Sequence, residues 1–236
     1  MLDKKKMLEV AVERMADLAA GWMVAGFVHG VLNTDNINIT GESFDYGPWR
    51  WLPQWDPGFT AAYFDHAGLY AFGRQPEAVH WNLAQLAIAL RRLAASPPLV
   101  FALERFAPLY HAAMARRFCW RLGVEPRGIE RDFKLIEAAE QAMRGSGAGP
   151  DAFFFAHRGG RAAEGALAEA LKGYDPVESA DPYWSGEGPQ TMLIDEVEAI
   201  WAAIARDDDW TPLQRKVEAV RAMGKAHGPA PQPPVL

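Results

Sequence analysis

A chain of 236 residues, half of them apolar and 23% charged, is sized for one globular domain or two small ones. Lys and Arg total 24 against 30 Asp and Glu, a net charge of −6, which excludes a nucleic-acid binder that works through a broad basic face. The single cysteine, Cys119, excludes an internal disulfide framework and a cysteine-rich zinc site, and no apolar run reaches the ~18 residues of a membrane span.

The charged start, Met1 to Lys6, leads into an amphipathic pattern rather than the continuous apolar stretch of a signal peptide, so a cytoplasmic protein is expected. Leu8, Ala11, Met15, Leu18 and Trp22 recur at helical steps and predict a first helix stopping near Gly26. Between Ile37 and Asp45 the pattern changes: Ile37 and Ile39 flank Asn38, Thr40-Gly41-Glu42 supplies a turn, and Phe44 resumes, which predicts one very short hairpin. From Tyr46 to Pro76 the density of Gly, Pro and aromatic residues predicts a long ordered loop packed by its own rings, Trp49, Trp51 and Trp55 among them.

Val79, Leu83, Leu86, Leu90 and Leu93 predict a buried helix ended by Ser96-Pro97-Pro98. Leu103, Tyr110, Met114 and Leu122 predict another ended at Gly123, and Phe133, Ile136, Ala139 and Met143 a fourth. Gly145 to Pro150 reads as a linker, and its G-x-G-x-G fragment lacks the preceding strand of a phosphate loop. Short helical stretches run to Leu171, and a Pro/Gly loop covers Tyr174 to Pro189. Two further helices carry Ile194, Val197, Trp201 and Ile204, then Leu213, Val217 and Val220. The expectation is therefore a mainly α (α+β) lobe over residues 1–227 and a Pro-rich tail over 228–236.

The densest polar group is His29-Gly30-Val31-Leu32-Asn33-Thr34-Asp35-Asn36, followed by Asp45-Tyr46-Gly47 after the hairpin. Asn and Asp taken singly read as a capped turn. Their spacing says more. Protein kinases carry H-R-D-L-x-x-x-N after a long helix and D-F-G after a short hairpin, and that Asn and that Asp hold the Mg²⁺ ions bridging nucleotide phosphates. Here His29 takes the His position, Asn36 the Asn position, and Asp45-Tyr46-Gly47 stands where D-F-G would. The kinase base would fall at Val31, which accepts no proton, so Asp35 is the nearby replacement. His29 itself reads more simply as a loop anchor, Asp65-His66 as a polar network beneath the aromatic loop, and the tryptophans as packing. The six histidines show no zinc spacing.

The stretch from Gly26 to Asn36, then Asp45-Tyr46-Gly47-Pro48, Asp56-Pro57-Gly58-Phe59, Asp65-His66, and Gln75-Pro76 with Trp81-Asn82-Leu83, resembles the selenoprotein O (SelO, YdiU) family. The likeness is dense from about Gly21 to Leu93. It implies a protein-kinase-like large lobe with one small β-hairpin, in a pseudokinase that transfers AMP from ATP to Ser, Thr or Tyr hydroxyls of proteins. The resemblance makes Asp35 the proton acceptor, Asn36 and Asp45 the Mg²⁺ ligands, and Asp45 also a neighbour of the ATP phosphates. No Gly-rich strand pair or V-A-I-K-like strand occurs, so the small N-terminal lobe is expected to be absent from this chain. The surface where it packs is expected to be covered by self-association or a separate small lobe. The expected partners are proteins with hydroxyl side chains and ATP, with neither nucleic acid nor membrane. Two functions stay open: such an adenylyltransferase or its large lobe, and a truncated non-catalytic remnant serving as a binding or structural domain.

Overall fold

The first amphipathic pattern forms helix α1, Lys4–Ala25, in a computed structural model that describes residues 4–232. Leu8, Val12, Met15, Ala16 and Ala19 are fully buried along it. Each large apolar side chain so placed contributes about 1.5–3 kcal/mol, and the alanines let neighbouring helices approach closely. Helices α2, Gln75–Leu90, and α3, Ser96–Glu104, both pack on α1 and on each other. Gly26 ends α1 with φ 72°, the left-handed conformation glycine adopts without penalty.

Between α1 and α2 the chain forms four two-residue strands: β1 (Phe27–Val28), β2 (Ile37–Asn38), β3 (Glu42–Ser43) and β4 (Arg50–Trp51). The predicted hairpin is β2 with β3, antiparallel, Ile37 opposite Ser43 and Asn38 opposite Glu42. A 3₁₀ turn, Thr34–Asn36, leads directly into it. The aromatic loop is ordered as expected, by successive turns such as Phe59 N–H to Asp56 O (3.2 Å) and Ala71 N–H to Gly68 O (3.2 Å). It closes where Phe72 N–H meets Phe59 O (2.9 Å) and Phe72 is fully buried.

The helix expected from Leu103 to Leu122 is two, α3 and α4 (Phe106–Leu122), with a break at Arg105. Ser96-Pro97-Pro98 does follow the end of α2, yet it opens α3 rather than a loop. Proline is tolerated in a first turn because its missing N–H would be unpaired there anyway. The Gly145–Pro150 linker is likewise shorter than its composition suggests, since α5 (Ile129–Ser146) absorbs Gly145 and Ser146 and Pro150 opens α6 (Pro150–Ala156). Then come α7 (Gly165–Leu171), α8 (Ile194–Asp207) and α9 (Thr211–His227). The stripe on α8 makes a helix without making core: no residue of α8 is buried, and Trp201 is 63% exposed.

Two compact units result. One comprises the chain up to Trp49 and Asp56–Arg117; the other comprises Arg50–Trp55 and Phe118–Pro231. In the second, α7 packs on α5, and α9 packs on α8 and on a 3₁₀ turn, Pro182–Ser185. Cys119 is fully buried there, and burial with Asp132 nearby pushes its thiol pKa well up. The proline-rich tail begins after α9, and its residues 233–236, like residues 1–3 at the start, lie outside the described residues. Among the described residues no helix is long and apolar enough to cross a membrane.

Candidate functional site

Everything predicted as a site lies between α1 and α2, in the first unit. His29 leaves β1 fully buried, and the buried Gln75 at the start of α2 splints it. His29 N–H donates to Gln75 Oε1 (2.9 Å), while Gln75 Nε2 donates to Phe27 O (2.8 Å). Ser43 of β3 gives its one hydroxyl proton to Asn36 O (2.7 Å), so His29 Nε2 is the donor in its 2.8 Å contact with Ser43 Oγ. The other ring nitrogen, Nδ1, accepts from Val31 N–H (3.4 Å). One donating and one accepting nitrogen describe a neutral imidazole. Burial holds the His29 pKa below its ordinary value, against smaller opposing effects of backbone bonds and Asp45. His29 is thus the anchor its sequence context suggested: it fixes the loop to β3.

Asn36, almost fully buried, is clamped at both ends. Its Nδ2 donates to Val31 O (3.0 Å), and its own carbonyl accepts from Ser43 Oγ and from Phe44 N–H (3.3 Å). With Nδ2 committed, Oδ1 is the end of the amide that can meet a cation. The Phe44–Asn36 bond extends the β2–β3 ladder by one step, so Asp45 follows at the same open end of the hairpin. Asp45 is exposed and has φ 56°, the left-handed region that Asp enters more readily than most residues. Gly47 N–H bonds back to its carbonyl at 2.8 Å. Asp35, exposed, sits in the 3₁₀ turn whose closing bond is Asn36 N–H to Asn33 O (3.1 Å).

The aromatic loop lies directly against this segment. Gly30 has φ 90°, and a Cβ there would stand 3.0 Å from Pro48 Cγ and 3.1 Å from Ala61 Cβ, so glycine is required on both counts. Asp65 caps its own turn: Oδ1 accepts from Leu69 N–H and Oδ2 from Tyr70 N–H, each at 2.8 Å. His66 is exposed, so the network expected of Asp65-His66 is carried by Asp65 with backbone instead. A cavity of about 630 Å³ opens beside this turn, lined by Gly58, Ala61, Tyr63, Asp65 and His66 among others. Trp49 stacks on Phe27 (6.5 Å between centroids), as packing predicts.

The hard-oxygen donors that could serve a magnesium ion here are the Asn36 amide and the Asp45 carboxylate. Mg²⁺ needs only one or two such protein ligands when phosphates and water complete its shell. Among the described residues no group of three or more His, Cys, Asp or Glu could hold a metal. Sequence reasoning missed the supporting residues. Gln75 and Asn82 are polar and buried at helical positions, and Asn82 Nδ2 donates to Leu32 O (2.8 Å). A polar side chain within an apolar stripe was the available signal for both. Ser43 and Tyr70 carried none.

The family model described as protein adenylyltransferase SelO matches residues 3–165. The protein nucleotidyltransferase YdiU of Gloeobacter violaceus is 35% identical over 239 residues, covering 89% of this chain and 49% of that protein. That of Synechocystis is 50% identical over 115 residues (49% of this chain, 24% of that protein), and that of Pseudomonas paraeruginosa 40% over 175 (74% and 36%). The chain spans about half the length, or less, of the curated relatives it matches. On the match over residues 3–165, the chain belongs to the SelO family of protein nucleotidyltransferases.

Proposed function

We propose that this chain is the nucleotide- and magnesium-binding part of a cytoplasmic protein adenylyltransferase, built as a protein-kinase-like large lobe. It would transfer AMP from ATP to Ser, Thr or Tyr hydroxyls of other proteins. The hairpin register is the observation that carries the reading: Asn36 and Asp45 share one open end of the β2–β3 ladder, with Asp35 adjacent and exposed. A bound Mg²⁺ supplies charge neutralisation at the phosphates. Asn36, through its Oδ1, and Asp45, through its carboxylate, would hold that ion. Asp35 takes the proton of the acceptor hydroxyl as its oxygen bonds to the α-phosphorus; the bond from that phosphorus to the bridging oxygen breaks, and pyrophosphate leaves. His29 and Ser43 hold the Asn36 backbone still while this happens, which is where positioning enters the rate.

Between Arg14 and Arg74 the sequence holds a single Lys or Arg, Arg50. Further cations for the phosphate charge would come from outside this stretch, and a separate small lobe or a second copy of the chain would strengthen, not create, the binding of Mg²⁺ and ATP. Incubation with α-³²P-labelled ATP and candidate proteins tests the reading. Label that disappears with Asp35→Ala and with Asp45→Ala supports it. Labelling unchanged by both sinks the site assignment, and no labelling of any protein favours a non-catalytic binding domain.

A further inference from the structure

We propose that Tyr70, in a loop remote in sequence from the candidate base, is a positioning residue for Asp35, acting through Asn33. This rests on Asp35 being the base. The Tyr70 hydroxyl donates to Asn33 Oδ1 at 2.5 Å across 37 residues of chain. Asn33 is the residue that opens the Thr34–Asn36 turn, and its side chain makes no capping bond to that turn. Asn33 is therefore oriented from outside, by Tyr70, while its carbonyl closes the turn by accepting from Asn36 N–H (3.1 Å). Asp35 rides in the middle of that turn.

The far end of the latch is equally fixed. Both oxygens of Asp65 are occupied by backbone N–H groups of Leu69 and Tyr70, so the phenol projects from a turn with little freedom. The same loop packs on Gly30 through Ala61, which ties it to the candidate segment a second time. Burial and the charges of Asp65 and Asp35 raise the Tyr70 pKa, which keeps the hydroxyl protonated and donating at neutral pH. A loop that seemed to be only aromatic packing thus sets the direction of the carboxylate that must meet the acceptor hydroxyl.

Tyr70→Phe removes one oxygen and keeps the ring. Hydrogen exchange of the Asn36 amide, read by NMR on the full chain, should accelerate about tenfold, the equivalent of one lost hydrogen bond. Asn33→Ala should accelerate it similarly, and the double variant no further, because both remove one contact. Tyr63→Phe in the same loop serves as the control and should leave it unchanged. In the AMP-transfer assay Tyr70→Phe should lower kcat about tenfold or more with the KM for ATP within twofold, since a misaimed base leaves ground-state binding intact. Asn36 exchange unchanged in Tyr70→Phe, or kcat unchanged where Asp35→Ala abolishes transfer, overturns the proposal. Accelerated exchange with transfer insensitive to Asp35→Ala would instead retain the latch and reject Asp35 as the base.

Discussion

Gln75→Leu isolates the splint that holds the candidate loop. Leucine fills much of the glutamine's volume, so packing changes little. The His29 N–H, fully buried, then loses its partner, and the Phe27 carbonyl loses the bond from Gln75 Nε2. An orphaned buried group costs about 1–3 kcal/mol and a lost hydrogen bond about 0.5–1.5, so the substitution predicts a loss of about 1.5–4.5 kcal/mol, a large part of a typical domain's stability. Urea unfolding followed by circular dichroism reads this as a midpoint lowered by about 1 M or more with little change in slope. Gln75→Glu adds a sign test. One carboxyl oxygen can accept from His29 N–H, but the other faces the Phe27 carbonyl and is tolerated only when protonated. Its folded-state pKa is therefore raised, the folded form binds the extra proton, and stability must fall as pH rises above the unfolded value of ~4.3. A Gln75→Leu loss below about 0.5 kcal/mol, or a Gln75→Glu variant indifferent to pH, would refute the claim that these two bonds satisfy the loop.

Gly30→Ala forces a Cβ into φ 90° and against Pro48 and Ala61, which predicts a loss of about 1–3 kcal/mol in thermal or urea unfolding; a neutral alanine would mean the loop is free to yield. His227, at the end of α9, has its pKa lowered to about 3 by burial first and by Arg121 and Arg158 second. The unfolded imidazole titrates near 6.5, so between about 3 and 6.5 the unfolded state binds the extra proton and stability falls as pH falls through that window. His227→Gln should flatten the acid side of a stability–pH curve by a few kcal/mol, and an unchanged curve would contradict the assignment.

The parts that were legible in the sequence are those written in periodicity and in local turn chemistry. The repeat of Leu8, Met15 and Trp22 gave α1, Thr40-Gly41 gave the hairpin turn, and the Asn/Asp spacing placed Asn36 and Asp45 at one end of that hairpin. Where composition misled, the same residues served a different position. Proline at Pro97 and Pro150 starts a helix as readily as it stops one, and Gly145 lies inside α5 because Gly147 supplies the left-handed cap two residues later. The apolar stripe of α8 was read correctly as helix, but periodicity does not say whether a partner face exists. Least legible were the contacts made across long separations. Gln75 holding His29, Ser43 relaying between His29 and Asn36, and Tyr70 reaching Asn33 each join segments whose proximity exists only after folding.

In the proposed function, Asn36 and Asp45 would hold one divalent ion against the phosphates of ATP. Thermal unfolding of the full chain with saturating ATP measures this without any protein substrate. Ligand at 10–100 times its Kd stabilises by about 1.4–2.7 kcal/mol, a shift of several degrees for a protein of this size. That shift is expected with millimolar Mg²⁺ and is expected to vanish in chelator, in Asn36→Ala and in Asp45→Ala. A shift of equal size in chelator, a shift that survives both substitutions, or none at all with Mg²⁺ present would contradict it.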